Sequence, residues 1–575
     1  MKKGSTYKGH ETFHNAFRMS LKLVVQTFFW IAVLHLLLTL YLTFRWYGEY
    51  LSVAFQNLLQ TPSMENINYL LNLFLLGMKS VAKTAALIWL TYPLFILFYR
   101  WRAKSEAETA HLRGAKLISP RRLNKAIRSD HEKVDLQIGK VGFPKSAEVK
   151  HALILGRPGA GKTVLLSSLL ERLMEREQRG IVYDFKGDYV ARFYRPDRDL
   201  LFNPVDERCL AWNLFDEIRM LTDIDVVAHA LIPTLQTNDP FWNNGARDVF
   251  SGLLHALYQR NLKTNADIWK AVSAPGKEIS ASLAKIPGAE AGFRCVEEGK
   301  SKQAMSILSV MMQYVKCFEH LSRLRGGFRI ADWLDQGKGW LFVTNYPGIA
   351  DTLRPMISLF IDLIGRRLLS LKDDPHRRIY FFIDEFGTLQ PLSIMVQLLT
   401  LSRSKGGSVW LGIQDIGQID KIFGASLRQA IINACGTTAI FSVSDPQSAK
   451  FLSTKIGETE FLETEETYSM GVADTRDGLS LMRRRKVEPL VLPSEVMHLR
   501  DLELFLKIPN YDLTKTKLTW QDYPVMAESL RFRRDLEMSS IKSQPVDVPE
   551  TASLEKGDPG QKRSELDYDL EIDTN

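Results

Sequence analysis

A chain of 575 residues is too long for one compact domain, which predicts one large core with additions, or two or three units. Its 45% apolar and 24% charged residues are ordinary globular composition, and a net charge of +8 permits contact with nucleic acid without demanding it. Cys209, Cys295, Cys317 and Cys435 are scattered with no C-x-x-C spacing, which argues against a disulfide framework or a zinc site and fits a reducing compartment.

The run Leu21 to Phe44 is almost continuously apolar, with Gln26 and His35 inside it, and is long enough to cross a hydrocarbon core of roughly 30 Å as a helix. A second run, Val81 to Tyr99, contains Lys83 near its start and is stopped by Arg100 and Arg102. Basic residues crowd before the first run (Lys2, Lys3, Lys8, Arg18) and after the second (Lys104, Arg113, Lys116, Arg121, Arg122). The positive-inside rule therefore predicts two spans, both termini cytoplasmic, and a short outer loop over about 46–80.

A short apolar strand, Ala152 to Leu155, then runs into Gly156-Arg157-Pro158-Gly159-Ala160-Gly161-Lys162-Thr163, followed by an apolar-periodic helix. This is the pattern of a phosphate-binding loop. Its glycines let successive N–H groups point inward, and the helix start adds its positive dipole end. The pattern casts the loop as the cradle for ATP, with Lys162 reaching the β and γ phosphates and the Thr163 hydroxyl holding Mg2+.

Another strand, Gly180 to Asp184, completes a βαβ rhythm, and the next strands come much later, at Gly339 to Thr344, Ile379 to Ile383, Ser408 to Ile413 and Thr437 to Val443. The stretch from Asn203-Pro204 to about Lys338 reads as helices with polar breaks, which predicts an all-helical insertion. The strand Ile379 to Ile383 ends in paired acids, where ligands of parallel sheets gather. Asp384 is placed to hold the Mg2+ water shell, and Glu385 to orient and deprotonate an attacking water. Gln414 ends the next strand, where an amide can sense a γ-phosphate, and Arg403 precedes that strand as a candidate arginine finger for a neighbouring subunit. The fold expected is α/β: a RecA-like P-loop domain (105–204 and 338–538) with an inserted all-α domain (205–337). A two-helix membrane anchor (1–104) precedes it, and a disordered acidic tail (539–575) rich in Glu and Asp after Ser564 follows. Arg483-Arg-Arg-Lys486 is a candidate phosphate-binding run, while Trp212 and Trp242 suit base stacking or, more simply, a core.

These pieces together resemble the TraD/TraG-like coupling protein family of type IV secretion. The resemblance rests on the two spans, Gly156 to Thr163, Asp184-Phe-Lys-Gly-Asp188, the Asn203-Pro204 entry to the helical stretch, Ile383-Asp384-Glu385, Arg403 and Gly412-Ile-Gln414. It implies a multi-pass protein of the bacterial inner membrane, assembled as a homohexamer and driven by ATP. Such a protein hands relaxase-bound single-stranded DNA, or a protein, to the secretion channel. The family contacts single- and double-stranded DNA without sequence preference, and the acidic tail resembles those that dock relaxosome proteins. The alternatives are a membrane receptor that uses nucleotide only for assembly, and another hexameric DNA-pumping ATPase.

Overall fold

The computed structural model describes residues 10–86, 89, 93, 97, 110–234, 239–297, 301–324, 326–469 and 478–536. The chain forms two compact units, Met1–Gly114 with Thr459–Glu488, and Ala115–Glu458 with Pro489–Asn575.

In the first unit, helix His10–Gln60 folds back through Thr61-Pro62-Ser63 onto helix Met64–Ala85. Where an outer loop is expected over 46–80, the chain stays helical, because that stretch is apolar and unbroken until Pro62 forces the turn. Gly77 lets the helices approach, since a Cβ there would meet Thr43 Cγ2 at 3.1 Å. His35, the polar residue inside the first predicted span, accepts a hydrogen bond from Trp89 Nε1 at 3.1 Å. Among the described residues one helix, Val24–Gln60, is long and apolar enough to cross a membrane. Most of the second predicted span lies outside the described residues, as do the acidic tail and its residues after Ser564. Strand β1 (Ala110–Gly114) belongs to this unit and runs antiparallel to a strand far along the chain, at Glu458–Ser469.

The second unit begins with β2 (Leu117–Ile118) and a hairpin of β3 (Val134–Ile138) and β4 (Val141–Pro144). Strands β5 (Ala152–Leu155), β6 (Arg179–Asp184), β7 (Leu200–Phe202), β8 (Leu341–Thr344), β9 (Ile379–Ile383), β10 (Gly407–Ile413) and β11 (Thr437–Ile440) follow. The hairpin of β12 (Glu458–Ser469) and β13 (Gly478–Pro489) intervenes before β14 (Glu503–Lys507) and β15 (Leu513–Lys517). One ten-stranded sheet has the order β2-β15-β14-β11-β5-β10-β9-β6-β8-β7. From β11 to β7 every neighbouring pair is parallel, and antiparallel pairing begins at β14. β14 is thus an interior strand, because β15 pairs beyond it.

Period-two alternation splits each apolar strand between two cores. Leu153, Leu155, Ile181 and Tyr183 face one cluster, while Ala152, Ile154 and Val182 face the other with Leu165 and Leu169 of helix Lys162–Glu175. The first cluster is continuous with Ile224, Val249, Phe250, Leu253, Ile307 and Phe318 of the helical stretch, so that stretch shares its core with the sheet. Each such side chain withdrawn from water contributes roughly 1.5–3 kcal/mol before conformational entropy is subtracted. The helical stretch also holds helices at Gly276–Leu283, Glu290–Val296 and Ile330–Gln336. Its first α-helix begins at Leu221, after a separate turn, Leu214–Glu217, whose Glu217 carboxylate accepts from Ile330 N (2.8 Å) and Trp212 Nε1 (3.3 Å).

Candidate nucleotide site

The order β5-β10-β9-β6 sets four parallel strand ends side by side, each delivering one loop to the same edge of the sheet. The first is the loop after β5. It is held by Gly156 N to Ile413 O (3.1 Å), Arg157 N to Ser442 O (2.7 Å) and Leu502 N to Ala160 O (2.9 Å). Gly159 and Gly161 have φ of 77° and 121°, values that L side chains rarely adopt. Arg157 turns outward to Asp501 at 2.6 Å, and Ala160 is buried, so these two shape the loop without lining the cavity.

A cavity of about 140 Å³ lies against this loop, lined by Gly159, Lys162, Thr163, Asp384, Glu385 and Gln414 together with the turn after β6. Lys162 Nζ donates to Gly156 O at 2.6 Å, and burial lowers its pKa against the pull of Asp384 and Glu385. Asp384 Oδ2 accepts from Thr163 Oγ1 (2.9 Å) and from the buried Tyr189 hydroxyl (3.0 Å). Its other oxygen, Oδ1, is buried with no hydrogen-bond partner. A free carboxylate oxygen beside a threonine hydroxyl suits a hard divalent cation that takes most of its shell from water and phosphate. Among the described residues no cluster of three or more His, Cys, Asp or Glu could hold a metal by itself. Burial raises the pKa of both Asp384 and Glu385, with Lys162 and Lys186 opposing. Gln414 Nε2 donates to Glu385 Oε1, and Gly412 makes room, because a Cβ there would strike the Asp384 carbonyl.

The structure therefore brings together Lys162, Thr163, Asp384, Glu385 and Gln414, and it leaves Arg403 apart. Arg403 lies on an exposed turn before β10, and Gln414 follows the far end of that strand. Seven residues of β10 separate the two sheet edges by about 20 Å. The sequence singled out Asp184 to Asp188 only as part of the family resemblance, and it gave Asp184, Lys186, Asp188 and Tyr189 no role in the site. Their signal was an acid at a strand end followed by a glycine, Asp184 to Gly187, which matters only once β6 is known to lie beside β9.

Trp212 is fully buried between Phe202 and Phe360, so it belongs to the core and is not free to stack a base. Trp242 is partly buried against the same core. Arg484, Arg485 and Lys486 are exposed on β13, with Lys486 paired to Glu463 and Glu488.

A parallel sheet carrying Gly156 to Thr163 on one strand end and Asp384 nearby defines the P-loop class of α/β proteins. Residues 135–519 match the model of the type IV secretion-system coupling protein DNA-binding domain, and the chain belongs to that family. It is 30% identical to coupling protein TraD of Escherichia coli K12 over 440 residues, covering 74% of this chain and 60% of TraD. The chain thus spans about three fifths of the length of the curated relatives it matches, 63% for a conjugal transfer protein TraG of Escherichia coli. The plasmid coupling protein TrwB in complex with ADP and Mg2+ superposes with a TM-score of 0.65 at 27% identity, over 74% of this chain and 98% of the chain in that structure. Its complex with the ATP analogue ADPNP gives 0.64 at 27% identity, over 74% and 97%.

Proposed function

We propose that this chain is an inner-membrane coupling ATPase that binds ATP with Mg2+ and uses its hydrolysis to pass DNA, or a protein, to a type IV secretion channel. The observation that carries the reading is the convergence of Lys162, Thr163, Asp384, Glu385 and Gln414 on one cavity. The TrwB complexes with ADP and Mg2+ and with ADPNP support nucleotide and Mg2+ as its ligands. Loop N–H groups and Lys162 bind the phosphates. Thr163 and the free Asp384 oxygen hold Mg2+, which neutralises charge on the phosphate oxygens when bound. Glu385 takes the proton of an attacking water, and Gln414 fixes its carboxylate in place. Arg403 completes the site of a neighbouring subunit in a homohexamer, where its charge stabilises the transition state. Its position away from its own chain's cavity supports a role across a subunit boundary.

In this reading residues 1–104 anchor the chain in the membrane with two spans and both termini cytoplasmic. Residues 105–204 and 338–538 form the motor, and 205–337 its helical insertion. DNA, single- or double-stranded, is bound through its phosphates without sequence preference. The acidic tail docks relaxase or relaxosome proteins, and channel components receive the cargo. The test is ATP turnover by the detergent-solubilised full chain across protein concentration, with and without single-stranded DNA. Turnover that rises with both supports the motor. A chain that binds ATP but turns over none at any concentration points to a receptor that uses nucleotide for assembly alone.

A further inference from the structure

We infer that Lys186 is a second cation for the terminal phosphate of the nucleotide, and that it lets the site tell a nucleoside triphosphate from a diphosphate. The inference rests on the nucleotide-site reading above and adds a residue to it. Lys186 lines the same cavity as Lys162, from the turn between β6 and helix Asp188–Phe193. That turn is rigid. The Asp184 carboxylate accepts four backbone N–H groups across it, from Gly187 (2.8 Å), Asp188 (3.1 Å), Tyr189 (2.8 Å) and Val190 (3.0 Å). Four donors into one buried carboxylate fix the turn, although burial, with the Asp188 charge adding, outweighs them and pushes the Asp184 pKa up to about 6. Gly187, with φ of 81°, supplies the left-handed step. On the far side the Tyr189 hydroxyl joins the turn to Asp384 Oδ2, the oxygen that also takes Thr163. Through the Tyr189 hydroxyl the far end of the turn is tied to Asp384.

Lys186 itself is exposed and makes no hydrogen bond or ion pair among the described residues, even with Asp188 two positions on. A cation held at a cavity wall with no partner is poised for an anionic ligand. Its place along the cavity follows from the strand order: β6, which leads into the turn, lies beside β9, with Tyr183 paired to Ile383, whereas the loop that holds Lys162 follows β5, two strands beyond β9. Lys162 therefore serves the loop side of the cavity, and Lys186 the side of β9 and Glu385, where the terminal phosphate and the attacking water meet. A diphosphate lacks the group that Lys186 would touch.

The experiment measures equilibrium binding of a non-hydrolysable ATP analogue and of ADP, each with Mg2+, to the full chain and to its Lys186→Ala and Lys186→Arg variants. Triphosphate affinity falls about tenfold in Lys186→Ala while ADP affinity stays within about twofold, as loss of one charge-assisted contact predicts. Lys186→Arg restores most of the difference, and because the side chain is exposed the melting temperature is unchanged. Equal losses for both nucleotides, or no loss for either, would overturn the inference. A wild-type chain that binds neither nucleotide would instead sink the nucleotide-site reading, so the two failures are told apart by the unmutated protein.

Discussion

Glu385 depends on Gln414 for its position, since the amide is bonded to one carboxylate oxygen of this cavity-lining residue. Glu385→Gln is expected to keep nucleotide affinity and to lower turnover by about 10²–10⁴-fold, measured as kcat beside a binding isotherm. Turnover within threefold of wild type would remove Glu385 from the role of base. A different residue makes stability depend on pH. His151 is buried, its Nδ1 accepts from Val409 N at 3.1 Å, and burial, with the Arg403 charge adding, lowers its pKa from 6.5 to about 4. Below pH 6.5 the unfolded chain takes up this proton and the folded chain does not. Stability is therefore full above 6.5 and falls by about 1.4 kcal/mol per unit as pH drops toward 4. Melting temperatures between pH 7 and 5 should decline less steeply for His151→Gln than for wild type.

Strand β10 is the element on which the site turns, because it separates β5 from β9 and ends in Gln414. Gly412→Ala would press its end against the Asp384 carbonyl, at a cost of about 1–3 kcal/mol. Lower thermal stability and weaker nucleotide binding together are the expected result. A variant with wild-type binding and stability would show that the strand end yields freely. Much of this arrangement was legible in the sequence, because the loop after β5 and the acids after β9 combine a short apolar strand with residues whose chemistry is local. Lys186 and Tyr189 were not, because their meaning comes from β6 lying beside β9, a pairing of residues far apart in the chain. The helical course of 46–60 was hidden by the expectation of an outer loop, although no proline precedes Pro62 to break it. Trp212 offered two readings until Phe202 and Phe360 enclosed it.

At the scale of the whole molecule, the distance between Arg403 and its own cavity makes a prediction about assemblies. A chain carrying Arg403→Ala should bind nucleotide normally and show little turnover at any concentration. Mixed with Glu385→Gln, which keeps its arginine, it should regain part of the activity, because one boundary in the mixture then holds both intact groups. If mixing restores nothing while each variant still assembles, the arginine does not act across a boundary. The same long-range organisation governs the first unit, where β1 pairs with β12 and the Arg113–Glu460 bond closes a separation of 347 residues. At a synthesis rate of roughly 5–20 residues per second, β12 emerges some tens of seconds after β1. For that interval the edge of β1 has no strand to pair with, so during translation it is open to chaperones, or to the same strand on a neighbouring nascent chain.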